Sequence, residues 1–228
     1  SRPMQQSLQY SAEDKREAIV EAFKKVADSF YFDANSNSWT VPPPEPAAPQ
    51  AAGRVSIRSK GRRSEAESQL AGAPLKSHFE KEVLARLLVE LANVDGQIKA
   101  EEKEFLQAVI GDEFGSMEDL LAKDPVSQIE CEELPAKSKE TIYMLAWVMS
   151  LVDFDIDPAE KNMLLEYADM MGLSNSQVKD ITQRAKLYLL EKSISVETSR
   201  EELFEIADQL DLDHQDAERC LIQVKKKA

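Results

Sequence analysis

Two stretches of this chain are built on one phrase. Residues 88–102 read LVELANVDGQIKAEE, and residues 146–160 read AWVMSLVDFDIDPAE. In each, an apolar helical run ends at an Asp, an Ile follows three residues later, and a Glu follows four after that. The first copy carries Asp95, Ile98 and Glu102; the second carries Asp153, Ile156 and Glu160. A phrase repeated in this way means one supersecondary unit built twice. The fold must therefore accommodate two matching helix–corner–helix units, and the same acidic pair recurs in both.

Composition agrees with helices. The chain has 228 residues but only 7 glycines, and strand-like alternation is nearly absent. One or two domains fit this length. The fold class expected is all-α, a compact helical bundle.

The net charge of −14 is uneven. Residues 76–228 hold eighteen Lys/Arg against thirty-three Asp/Glu, whereas residues 1–75 hold ten against nine. The acidic half should repel nucleic acid and anionic lipid, and it suits divalent cations or basic protein surfaces. Cys131 and Cys220 lack the spacing of a metal or redox motif, so two lone buried thiols are expected, which fits a reducing compartment such as the cytoplasm. The longest apolar run, Tyr143–Val152, falls short of the roughly 18 residues of a membrane span. No signal-peptide pattern opens the sequence, although it begins at Ser1 and leaves open what lies upstream.

The chain divides into four stretches. Residues 11–31 read as one amphipathic helix. Ser11 and Asp14 form a capping-box-like start, and Ile19, Phe23, Val26 and Phe30 recur at helical spacing. A lone helix cannot bury such a stripe, so it docks on the main domain, on a partner or on a membrane surface. Residues 33–74 read as a linker. It begins with a turn-like DANSNSW, continues through proline-rich VPPPEPAAPQAAG, and ends in a basic stretch with Arg54, Arg58, Lys60, Arg62 and Arg63. No aromatic residue interleaves those bases, which argues against single-strand nucleic-acid binding. The compact domain is expected over 75–194, with helices ending near Val94, at 100–110, 116–123, 135–151, 158–171 and 174–192. Residues 195–228 add a helical pair, about 199–210 and 213–226. Their junction EIADQLDLDHQDAE echoes EYADMMGLSNSQVK at 166–179, so the pair should pack on the bundle.

In each copy of the opening phrase the Asp sits where a helix stops, and the Glu lies in the first turn of the next. Carboxylates without His or Cys favour hard cations such as Ca²⁺, Mg²⁺ or Mn²⁺. Asp95, Glu102, Asp153 and Glu160 are thus the candidate metal ligands, and bringing the two copies together would supply four carboxylates. The same positions also suit structural work. A Glu at the third helical position reciprocates an N-cap and favours the helix dipole, and an Asp before Gly96 is ordinary turn chemistry. Asp153, Asp155 and Asp157 alternate as in a calcium loop. An EF-hand, however, needs Gly and Glu where Pro158 and Leu164 stand, so that reading fails.

The stretches LARLLVELANVDGQIKAEEKEFL and MLAWVMSLVDFDIDPAEKNMLLEYADMMGLS together resemble the TerB-like family of tellurite-resistance proteins over roughly residues 76–192. The family pattern is an apolar helix, an Asp-Gly-x-Ile turn and an acidic helix start, used twice. The resemblance implies an all-helical domain of two similar halves. It further implies a metal-binding or protein-interaction module of bacterial stress and tellurite-resistance systems, with the acidic positions on Asp95, Glu102, Asp153 and Glu160 and no catalytic activity. Two positions depart from the pattern. Phe154 stands where Gly is usual, and Lys99 occupies a helix start where Ser or Thr is typical, placing an ammonium near the carboxylates.

Catalytic signatures are missing from the sequence. There is no phosphate-binding glycine loop, nucleophile elbow or zinc-protease motif. The two histidines, His78 and His214, lie in polar helical sequence and should be on the surface. The function expected is a non-enzymatic module that binds a divalent cation, a protein partner, or both, through its acidic face. The alternatives are a structural scaffold docking through helix 11–31 and a metal-dependent hydrolase. Peripheral membrane contact would run through residues 11–31 or the basic stretch 54–63.

Overall fold

The computed structural model describes residues 31–33, 38–40 and 65–228 except 111, 112, 153 and 155, with backbone only at 31–33, 38–40, 101, 108 and 109. Most of the proposed amphipathic helix 11–31, the proline-rich segment and the basic stretch 54–63 lie outside the described residues, as does Asp153.

The fold class is all-α, as expected. Ten helices follow in order among the described residues: α1 (Glu65–Gly72), α2 (His78–Ala92), α3 (Ala100–Ile110), α4 (Met117–Leu121), α5 (Gln128–Glu133), α6 (Ala136–Leu151), α7 (Pro158–Met170), α8 (Asn175–Ser193), α9 (Arg200–Gln209) and α10 (His214–Lys227). Ahead of them stands a small antiparallel hairpin, β1 (Tyr31–Asp33) on β2 (Ser38–Thr40), in the register Tyr31↔Thr40, Phe32↔Trp39 and Asp33↔Ser38. This corrects two expectations. Tyr31 is in a strand rather than the last turn of a helix, and the expected linker includes the strand residues Asp33 and Ser38–Thr40. Aromatic and β-branched residues flanking Asn- and Ser-rich turn formers explain it.

α6 is the axis of the bundle. Every residue from Thr141 to Leu151 is buried, so the helix is covered on all sides. It packs against α8, α2 and α7, while α2 also packs against α3, α4 and α7. α2 is nearly as enclosed: Val83, Ala85, Leu87, Leu88 and Leu91 are all fully buried. Each buried leucine contributes roughly 1.5–3 kcal/mol of transfer free energy.

The surrounding helices are stopped and started by local chemistry. α2, α4, α5, α8 and α9 open on complete capping boxes at Ser77, Ser116, Ser127, Ser174 and Ser199. α7 opens on Asp157, whose side chain accepts from Ala159 N, with Pro158 in the first turn.

The linker expected over 33–74 is helical over α1. Its Ala66 and Leu70, at i and i+4, are 1% and 3% exposed. α1 packs on α8, where the Arg184 guanidinium donates to Gln69 Oε1 and Lys192 Nζ lies 3.1 Å from Glu67 Oε1. The compact region therefore begins near Glu65, ten residues before the expected boundary. α5 was not foreseen either; with six residues, it shows no apolar period.

The C-terminal pair packs on the bundle as expected, with α10 against α8 and α9. The echo between residues 166–179 and 205–218 is a matched backbone turn. Gly172 and Asp211 both adopt left-handed φ, 68° and 52°. Leu173 N donates to Ala168 O at 3.0 Å and Leu212 N to Ala207 O at 2.8 Å; Gly172 N and Asp211 N each reach the carbonyl three residues back at 3.1 Å. Both are Schellman stops, and both lead directly into an N-cap, Ser174 and Asp213.

Candidate functional site

The opening phrase also folds into two matched corners. Gly96 has φ 85° and Phe154 has φ 58°. Gly96 N donates to Asn93 O, and Phe154 N to Leu151 O, both at 2.9 Å. The position filled by Gly in one copy is held left-handed in the other by a phenylalanine, at a cost of about 1–2 kcal/mol. Packing of the Phe154 ring against the core opposes that strain. Ile98 and Ile156 anchor the two corners on the same core.

The acids divide into two kinds. Asp95 is exposed, and its Oδ1 accepts from Gln97 N at 3.1 Å, an Asx turn that shapes the corner. Glu102 and Glu160 are 3% and 2% exposed, at the third residue of α3 and of α7. Glu102 Oε2 accepts from Lys99 N at 2.9 Å, half of a capping box whose other half is missing because Lys99 carries no acceptor. In the second corner, Asp157 supplies the missing acceptor, its Oδ1 lying 2.7 Å from Ala159 N.

Of the four expected ligands, three are therefore placed, and Glu102 and Glu160 occupy matching positions. Asp95, Glu102 and Glu160 do not form one group: among the described residues, no three His, Cys, Asp or Glu side chains gather closely enough to hold a metal ion. Asp153 lies outside the described residues. The carboxylates present are hard oxygen donors of the type Ca²⁺, Mg²⁺ or Mn²⁺ takes. Glu102 and Asp95 each direct one oxygen into the backbone of their own turn.

A mixed-charge cluster, unmarked by any motif, lies on one face of α2. Glu82, Arg86 and Glu90, spaced four apart, clasp the segment between α4 and α5. Lys123 Nζ lies 3.2 Å from Glu82 Oε1. The Arg86 guanidinium donates to both oxygens of Glu130, at 2.7 and 3.2 Å, and to the carbonyls of Asp124 and Pro125, at 2.7 and 3.2 Å. Glu90 Oε1 accepts from Val126 N and its Oε2 from the Tyr167 hydroxyl, each at 2.8 Å. One side chain thus ties α2 to the segment and to α7.

The cluster's electrostatics follow from its contacts. Burial raises the Glu90 carboxyl above its ordinary range, against the opposing pull of Tyr167, Val126 and Arg86. The Arg86 hydrogen bond holds Glu130 below its ordinary range. Burial, and then Glu90 beside it, push the Tyr167 phenol far up. A charged Glu within the apolar run LLVELA was the available sequence signal, because such a residue needs partners.

Elsewhere on α2, Glu80 accepts from Ser77 N and Oγ, from Lys76 N and from the Ser138 hydroxyl. Burial alone would raise its pKa, but these donors together hold it below the ordinary value.

The two thiols are poorly suited to nucleophilic chemistry. Cys131 and Cys220 are free thiols; Cys131 is buried as expected whereas Cys220 is half-buried, and desolvation pushes them up to about 11 and about 12. A thiol held so high carries almost no thiolate at neutral pH. The His78 and His214 side chains are 66% and 47% exposed, in keeping with the surface positions read from sequence. Among the described residues, no helix is long and apolar enough to cross a membrane. The chain matches no family model, no curated protein and no solved structure.

Proposed function

We propose that the chain is a non-enzymatic, TerB-like helical module of the cytoplasm that engages a partner through its acidic face, of the kind used in bacterial stress and tellurite-resistance systems. The single observation behind this reading is the pair of matched corners. Each has a left-handed residue at the same place, an Ile on the core, and a buried Glu at the third position of the next helix. That turn is the one on which the resemblance rests. A surplus of fifteen acids over bases in residues 76–228 supplies the attraction for a basic protein surface.

A divalent cation at the corners is the second half of the proposal, supported by the hard-donor character of Asp95, Glu102 and Glu160. Isothermal titration of the full chain with Ca²⁺, Mg²⁺ and Mn²⁺, alongside a paired Asp95→Asn/Asp153→Asn variant, tests it. Saturable heat that the variant loses supports the cation. Heat at buffer level in both proteins removes it and leaves the protein-partner reading alone.

The partner half is tested by cross-linking in cells that carry either the wild type or a variant in which two exposed acids of α9, Glu201 and Asp208, are changed to amides. The expected result is one specific cross-linked protein that is lost from the variant and weakened by salt. A cross-link unchanged by both treatments would overturn the acidic-face reading. Deleting residues 1–40 addresses the scaffold alternative, because docking through helix 11–31 requires the cross-link to vanish with that deletion.

A further inference from the structure

We draw no further inference here: the strongest candidate, a groove of about 900 Å³ between α1, the start of α6, α8 and α10, with Ala66, Leu187, Tyr188 and Cys220 among its lining and charges of both signs around it, carries nothing because nothing in the structure shows what covers it.

Discussion

Glu90 shows how much one side chain can hold. Replacing it with Ala strands the Val126 N–H and the Tyr167 hydroxyl, each costing about 1–3 kcal/mol when left without a partner. Gln keeps both contacts: its carbonyl accepts from Val126 N and its amide donates to the Tyr167 oxygen. Urea denaturation at neutral pH should therefore show a large loss for Glu90→Ala and a small change for Glu90→Gln. The two also differ in pH dependence. With its folded pKa above the ordinary 4.5, Glu90 contributes fully below that value, and its contribution falls as pH rises through the folded pKa. Glu90→Gln should flatten this decline in urea midpoints measured upward from pH 4.5. Gly96 offers a second test at this scale. No atom lies within 4 Å of where its Cβ would stand, yet its φ is 85°, so Gly96→Ala should cost about 1–2 kcal/mol from backbone strain alone. A change near zero would mean the corner can relax.

At the scale of elements, α1 and α6 make opposite points. α1 falls within the stretch whose turn-like, proline-rich and basic composition predicts a linker, and Glu, Ser, Gln and Ala around a single Leu carry little periodicity of their own. Ala66 and Leu70 are nonetheless buried against the bundle. Leu70→Ala should cost about 2–5 kcal/mol in chemical denaturation, whereas a leucine in a free linker would cost almost nothing. α6 was legible from its apolar length alone, but its polar groups were not. Ser150 is 1% exposed, and its hydroxyl finds no hydrogen-bond partner. Ser150→Ala should leave stability unchanged or raise it by about 1 kcal/mol, and a marked loss would show that the hydroxyl is satisfied in solution. The capping serines carry a further local signal: Ser followed three residues on by Glu, Asp119 or Gln177 is a code that needs no tertiary context. The same code at Ser127 and Glu130 marks α5, which lacked only the periodicity to be read as a helix.

For the whole molecule, the excess of acids sets the response to salt and to acid. Like charges over residues 76–228 repel one another across the surface, and that repulsion is screened with a Debye length of about 8 Å at physiological ionic strength. Raising salt from low to about 0.3 M should increase the melting temperature by weakening this repulsion. A fall would mean that favourable ion pairs outweigh it. Glu80 and Glu130 have folded pKa values below 4.5. Their stabilisation is present above that value and lost as pH falls through the folded pKa, so acid unfolding should begin below 4.5.

The sequence by itself determined eight of the ten described helices and the two internal echoes, because apolar period and helix-stop turns are short-range patterns. It also placed Asp95, Glu102 and Glu160 at corners and helix starts, where the structure puts them. Only the tertiary structure decided which side chains meet. It joined Arg86 and Glu90 of α2 to Glu130 and Tyr167, brought α1 onto α8, and kept Asp95, Glu102 and Glu160 from forming one group. Those contacts depend on how separate helices cross, and no spacing within one helix encodes that angle.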